Sequence, residues 1–401
     1  MRILSLSLVA ILAAFMLTIA GFQLNASGNF SAGMNSLFQA DWMSPESVRL
    51  HLTWWPRFFT TLIAGAALAA AGVLMQQVLR NPLASPSTLG VASGASFALM
   101  MATLYAPWLL TFSKSLIALL GGVGTMALVF ALSWRRALSP TVVVVSGLVI
   151  NLYFGAVSTV LLMMNQDKLA GLMIWGAGSL VQTGWSDIAY LAPRLGLAIG
   201  ISFLFVKPLT LLELSEEGAK SLGVSLAKLR VICLGLAVLL TSWVVAKVGV
   251  IGFVGLAAPA IARATGVHRL VPKLIVSMLL GGLLLTLTDL LIQQLPGIAA
   301  MIVPTGAATA ALGAPILLWL LPRLSMRSQT QTQTVMTRHS EQVKSLNRHA
   351  IALAALVIPV ALFIFSTTSI QSSGWQWLVF SGEWNLLEWR WPRLVAAALA
   401  G

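Results

Sequence analysis

Charge is what this sequence has least of. Only 9% of its 401 residues are Asp, Glu, Lys or Arg, where a soluble domain carries about 25%. With 58% hydrophobic residues and a mean hydropathy of +0.91, that deficit excludes an ordinary water-soluble fold. Cysteine occurs once, as Cys233, which excludes an intramolecular disulfide and a cysteine metal cluster; it reads as a small apolar packing residue. The four histidines, His51, His268, His339 and His349, are dispersed, leaving neither a local metal site nor a nucleophile triad by spacing. A Gly-x-x-x-x-Gly-Lys loop followed by Ser or Thr, whose amides would wrap phosphates, does not occur, so no nucleotide or other cofactor is expected on this chain. The net charge of +13 does not point to nucleic acid, because the basic residues sit singly at segment ends and form no stripe interleaved with aromatics.

What fills the chain instead is apolar sequence in runs of about 20 residues, the length a helix needs to cross a bilayer. Closed barrels show short alternating segments, so the expected fold is all-α and polytopic. Candidate helices cover about Ile3 to Ala20, Pro56 to Leu79, Leu89 to Pro107, Ser115 to Trp134, Thr141 to Met164 and Ile188 to Val206. Four more cover Leu229 to Val248, Phe253 to Ala264, Leu274 to Gln294 and Ile302 to Leu321. The first run also has the layout of a cleavable signal peptide, but a similar run recurs at Ala350 to Phe365, where no signal peptide acts. With ten crossings and a cytoplasmic N-terminus, Arg135, Arg136, Lys207, Lys228, Arg230, Arg263, Arg269 and Lys273 all fall inside. Only Arg49, Arg57, Lys114, Lys168, Arg194 and Lys247 fall outside before residue 324, and that asymmetry selects the orientation.

Residues 324–349 are polar, basic and rich in Ser, Thr and Gln, and read as a cytoplasmic linker. A second unit begins after it. Trp55-Pro56-Arg57 and Gly65 are matched by Trp391-Pro392-Arg393 and Gly401, each pair 336 positions apart (391 − 55 and 401 − 65). The expected organisation is a first half over 1–323, the linker over 324–349 and the start of a second, parallel half over 350–401, which would be completed in a chain about twice as long.

Several residues bear on function by themselves. Arg80-Asn81-Pro82 breaks the chain after the second apolar segment, since proline cannot continue a helix and Asn satisfies freed backbone groups; a plain turn and a cytoplasmic contact both fit. Leu214 to Leu226 is the most polar cytoplasmic stretch of the first half, with Ser215 ahead of Glu217 and Gly223 placed to end a short helix. Gly249, Gly252 and Gly255, followed by Pro259, interrupt the eighth apolar segment, as a pathway-lining element or as a packing kink. Asp289 lies deep in an apolar run, where an ionised group needs a partner or a task; Thr286, Thr288 and Lys247 are its candidate partners. Arg57 is either an interfacial anchor or a salt-bridge partner for a docking protein.

In order along the chain, Trp55-Pro56-Arg57, Gly65-Ala66-Ala67-Leu68-Ala69, Gln76, Arg80-Asn81-Pro82-Leu83-Ala84-Ser85-Pro86 and Leu89-Gly90-Val91 resemble the signature of the iron-siderophore and cobalamin ABC permeases. So do Glu216-Glu217-Gly218-Ala219-Lys220-Ser221-Leu222-Gly223-Val224, Gly252-Phe253-Val254-Gly255-Leu256 with Pro259 and Arg263, and Pro304-Thr305-Gly306 through Pro315. The repeat resembles the fused, double-length hydroxamate-type members. The sequence departs from the pattern at Ala260, where many relatives carry His, and at Trp54, whose counterpart Arg390 keeps the basic residue.

The resemblance implies a type II ABC importer permease of about ten helices per half, multi-pass in a bacterial inner membrane. It is not an enzyme: two copies of a separate ATP-binding subunit hydrolyse ATP with Mg, and a periplasmic binding protein delivers the ferric siderophore. By the same resemblance Glu216, Glu217, Ala219, Leu222 and Gly223 form the coupling helix that seats on the ATPase, and Arg57 and Arg393 meet the binding protein. Gly252, Gly255, Pro259 and Asp289 are pathway or gating candidates. Haem and cobalamin remain alternative cargoes. An ion-coupled secondary transporter is the competing class; it calls for paired membrane carboxylates, whereas Asp289 stands alone in its run.

Overall fold

The structure, a computed structural model, describes residues 2–26, 30–136, 138–211, 225–294, 303–325, 368–371 and 374–377. The chain divides into two compact units, Met1–Leu324 and Ser325–Gly401. The described part of the first consists of helices joined by turns and short irregular stretches. In the second, the described residues form one antiparallel hairpin of β1 (Thr368–Gln371) and β2 (Gly374–Trp377), with Thr368 opposite Trp377. The linker and the apolar run expected at Ala350 to Phe365 lie outside the described residues.

The first unit runs α1 (Arg2–Ala26), α2 (Phe30–Asn35) and α3 (Pro45–Arg49), then a π-helical turn over Leu50–Trp54 that leads directly into α4 (Trp55–Val78). Next come α5 (Val91–Tyr105), α6 (Pro107–Trp134), α7 (Pro140–Met164), α8 (Gln166–Gly176), α9 (Ser186–Leu204) and α10 (Val206–Leu211). The last four are α11 (Leu226–Val248), α12 (Val254–Ala264), α13 (Leu270–Gln293) and α14 (Thr305–Ser325). Each of the ten apolar segments expected from the sequence coincides with one of these helices. Seven are long and apolar enough to cross a membrane, while α5 and α12 are shorter apolar helices. The start of α6 differs from expectation: it begins at Pro107 and bends at Ser113, whose backbone is extended (φ −172°, ψ 113°). The Ser113 hydroxyl accepts from the Leu116 amide (3.2 Å) and so caps the helix that continues beyond the bend.

Helix α4 is the centre of the bundle, packed against α13, α11, α12 and α9. Pro56 in its first turn has no amide hydrogen to give the helical turn before it, and that turn is wound wider, as a π-helix in which the Trp55 amide reaches back to the Leu50 carbonyl. The middle of α4 is alanine and glycine because the neighbouring backbones come into contact there. A Cβ on Gly65 would overlap the Gly281 carbonyl of α13, and one on Gly72 would overlap the Gly255 carbonyl of α12. Small residues at such crossings provide the close packing that lipid cannot drive. Around α4 the core is filled by Leu74, Met75, Leu89, Leu234, Leu240 and Val244. Helices α1 and α7 lie at the periphery and expose most of their apolar side chains.

Successive crossings alternate direction, so the connections gather at two ends. The first end holds the start of α4, the end of α13 and the start of α14; the second holds the end of α4, the end of α12 and the start of α13.

Candidate functional site

Three stretches of non-helical backbone meet inside the bundle. The first follows α8 at Ala177 to Ser179, the second separates α11 from α12 at Gly249 to Phe253, and the third leads into α14 at Val303 and Pro304, with Thr305 and Gly306 its first helical residues. The Ser179 amide donates to the Val248 carbonyl (2.9 Å) and the Gly306 amide to the Gly178 carbonyl (3.2 Å). Gly178, Gly249 and Gly306 are all buried, and a Cβ on any of them would overlap a carbonyl of a neighbouring stretch: Val250, Trp175, and both Ala177 and Val250, respectively. Irregular backbone at membrane depth persists only where protein or a cavity satisfies it, and here the three stretches partly satisfy each other.

The second stretch is wound tightly. The Val254 amide donates to the Gly252 carbonyl (2.8 Å) across Phe253, which has φ 64° and ψ −33°. That is a γ-turn of the strained, positive-φ kind. The Phe253 side chain fits against α14 because residue 313 is glycine: a Cβ there would come within 2.6 Å of Phe253 Cβ. On the other side Phe253, Ile251, Gly255, Thr241, Ser85 and Pro86 line a small, narrow cleft. Of the pathway candidates, Gly255 lines the cleft but sits close against α4, where a Cβ would stand 3.1 Å from the Leu68 carbonyl, and Gly252 has nothing within 4 Å of where a Cβ would stand. Pro259 is buried one turn further along α12 and is not among the cleft's lining residues.

Asp289 is not brought to the cleft either. Its carboxylate receives a two-pronged pair from Arg57, Nε to Oδ2 and Nη2 to Oδ1, both at 2.7 Å. Thr305 Oγ1 donates to Oδ1 and Gln293 Nε2 to Oδ2, both at 2.8 Å. The pair is enclosed, with 16% of the Arg57 side chain and 2% of the Asp289 side chain exposed. Because Thr305 adjoins Gly306, this cluster ties α4 and α13 to the glycine junction.

The Arg57 guanidinium is engaged with Asp289 inside the bundle. One expectation is corrected here. Lys247 is not the partner of Asp289: it pairs with Asp187 at 2.8 Å and lies 4.8 Å from the Tyr190 ring, which Arg194 also covers. Thr286 bonds Thr61 (3.0 Å) and Thr288 bonds the Leu284 carbonyl (2.8 Å), so neither serves Asp289. The Lys247–Asp187 pair keeps 22% and 27% of its side chains exposed, and pairs near water contribute only about 0.5 kcal/mol. Lys247→Met is accordingly expected to shift the melting temperature by less than about 2 °C, read by thermal unfolding of the purified protein.

At the second end, the turn after α4 places Arg80 at φ 47°. Asn81 Oδ1 accepts from the Leu83 amide (2.9 Å), and the Asn81 carbonyl accepts from the Ala84 amide (3.1 Å). The Pro82 carbonyl faces Arg263 Nη2 at 3.4 Å, while Arg263 Nη1 donates to Gln76 Oε1 at 2.6 Å. The turn is thus stitched to the end of α12. Glu216, Glu217, Ala219, Leu222, Gly223 and Arg393 lie outside the described residues.

Sequence reasoning missed Thr305, Gln293 and Gly178 as parts of one assembly. The Gly176-Ala177-Gly178 cluster in an apolar region was the available signal for a break, but nothing local linked it to Gly306 more than a hundred residues away. Among the described residues no group of three or more His, Cys, Asp or Glu could hold a metal ion.

The sequence model of the FecCD transport family matches residues 5–323. The chain is 38% identical over 383 residues to the iron(3+)-hydroxamate import system permease protein FhuB of Salmonella typhimurium, an alignment covering 93% of this chain and 55% of that protein. It is 37% identical over 272 residues to the Fe(3+) dicitrate transport system permease protein FecD of Escherichia coli, covering 67% of this chain and 83% of that one. A solved structure described as an inward-facing conformation of a metal-chelate type ABC transporter superposes with a TM-score of 0.63 at 28% identity, covering 78% of this chain and 99% of the other. The chain spans about half the length of the FhuB relatives it matches.

Proposed function

The chain belongs to the FecCD transport family, and from that premise we propose that it is the membrane-spanning permease of an ATP-driven importer carrying ferric siderophore, of the hydroxamate type, from periplasm to cytoplasm. The observation that carries this reading is the buried junction of Gly178, Gly249 and Gly306 beside a cleft. A bundle built only to anchor an enzyme has no need of irregular backbone at that depth, whereas a pathway whose walls must rearrange does.

The hydroxamate assignment rests on the FhuB relative, with which the chain aligns over 93% of its length; the dicitrate relative keeps other iron chelates in view, and haem or cobalamin is the next alternative. Iron is cargo in this reading, wrapped in its chelator. Energy comes from two copies of an ATP-binding subunit seated on Glu216, Glu217, Ala219, Leu222 and Gly223. A periplasmic binding protein delivers the substrate at the first end, with Arg393 a candidate contact, and the N-terminus is cytoplasmic because the basic residues concentrate at the second end. Against an ion-coupled carrier stands Asp289: all its acceptor positions are filled by Arg57, Thr305 and Gln293, so it has no room for a coupling ion.

The test is reconstitution of the full-length protein with its ATP-binding subunit and binding protein, following uptake of radioactive ferric hydroxamate alongside ATP hydrolysis. Uptake is expected to require ATP and to fall about tenfold or more in Gly223→Pro, because proline at that point disrupts the end of the coupling helix. Uptake driven by an ion gradient without the ATPase, or unchanged in a folded Gly223→Pro protein, would overturn the reading.

A further inference from the structure

We propose that the segment Phe38 to Met43, between α2 and α3, is a membrane-interface anchor that dips into the headgroup region of one leaflet at the first end of the bundle. Phe38, Trp42 and Met43 are 84%, 72% and 93% exposed, among the most open large apolar side chains at this end. A soluble loop tip would not collect three of them in six residues.

They continue a lipid-facing surface. Helix α1 exposes Phe22 on its outer side, and α2 lies against α1 through Gly33, where a Cβ would come within 3.1 Å of the Leu24 carbonyl. From there Phe30 and Met34, four residues apart, stand on the exposed face of α2, and Phe38 follows at the next interval of four. The apolar row thus leads from a membrane-crossing helix to the tip without a charged side chain between.

The tip is a fixed turn. The Met43 amide donates to Asp41 Oδ1 (3.0 Å), and the Asp41 amide donates to Ser47 Oγ (2.9 Å). Asp41, the one charge in the segment, is itself exposed, with one carboxylate oxygen holding the Met43 amide, while Trp42 and Met43 project beside it. Just beyond, Glu46 and Arg49 pair with each other at 3.1 Å and are 56% exposed, so α3 presents charge where the tip presents apolar surface. That division suits an element lying in the interface plane.

A second connection marks the same plane independently. At the α5–α6 junction, also at the first end, Tyr105, Trp108 and Phe112 are all exposed, and Trp and Tyr gather at the membrane–water boundary. The two connections form parts of one aromatic belt. This inference does not depend on the cargo or on which face is periplasmic.

Cys233 is the only cysteine and is fully buried, so single labels can be placed cleanly. In the full chain reconstituted in lipid nanodiscs, with Cys233→Ala, an environment-sensitive nitrobenzoxadiazole label is attached at Met43→Cys or at Glu46→Cys. The label at 43 is expected to emit at shorter wavelength. It should be quenched at least about threefold more strongly than the label at 46 by lipids carrying a nitroxide near the headgroup, and less by aqueous iodide. Equal iodide quenching at both positions would overturn the proposal in favour of a water-facing tip; protection at 43 from both quenchers would overturn it in favour of a protein-covered one. If Cys233→Ala proves unstable, the same contrast is read with Cys233 retained, its buried thiol being subtracted as the label taken up by the parent protein.

Discussion

Asp289→Asn is expected to destabilise the first unit by about 3 kcal/mol, because it leaves Arg57 charged and enclosed without its counter-ion. The wild-type carboxylate takes two hydrogen bonds from Arg57 and one each from Thr305 and Gln293. An asparagine amide offers a single acceptor oxygen and turns an N–H₂ toward donors, so at least two of those four bonds become donor facing donor. The loss is read as a fall in the melting temperature of the purified protein, and uptake should fall with it, since Thr305 opens α14 beside the glycine junction. Arg57→Met/Asp289→Leu is the informative companion. If the pair is chiefly a matter of not stranding a charge, the double variant recovers most of the lost stability, as buried pairs replaced by apolar residues usually do. Recovery of stability without recovery of uptake would assign the pair to transport. A double variant as unstable as Asp289→Asn would instead mean that the hydrogen-bond pattern around Thr305 carries the stability.

The helices of this bundle were legible because crossing a bilayer demands length and apolarity, and both are properties of the chain read in one dimension. Pro107 shows the limit: the expected helix began at Ser115 because Thr111, Ser113 and Lys114 dilute the apolar pattern, yet the chain turns helical eight residues earlier and absorbs the polar stretch as a bend. Tertiary pairing was less legible. Hydropathy places Asp289 and Lys247 at similar depth near the same end, which made them plausible partners, but it says nothing of which way each helix is rotated about its own axis. That rotation turns Lys247 to Asp187 on α9 and gives Asp289 to Arg57, 232 positions away. The glycines divide in the same manner. The interruption at Gly249 to Gly255 was visible because three glycines and Pro259 break an apolar run, whereas the fit of Gly306 against Ala177 and Val250 is a meeting of three distant stretches that leaves no trace in any one of them.

The junction itself sets the other large expectation, that Gly249→Ala abolishes uptake while the control Gly155→Ala leaves it intact. Gly249 stands at φ 76° and ψ −166°, a region that is essentially open to glycine alone and costs another residue on the order of 1–3 kcal/mol. Relaxing that strain would swing the chain leaving α11, but the added Cβ would also overlap the Trp175 carbonyl, and Ser179 and Val248 hold the two stretches together by a backbone hydrogen bond. Neither stretch can move without breaking it. The variant is therefore expected to retain its other helices, which pack elsewhere around α4, and to lose the local order on which the position of Phe253 and the cleft depends. Gly155, in α7, has nothing within 4 Å of where a Cβ would stand, and alanine is the better helix former by about 0.5–1 kcal/mol. The comparison is made on purified protein by melting temperature and in the reconstituted system by ATP-dependent uptake. Normal uptake by Gly249→Ala would remove the junction from the transport pathway, because a backbone that tolerates both the strain and the overlap cannot be an element whose conformation the cycle relies on.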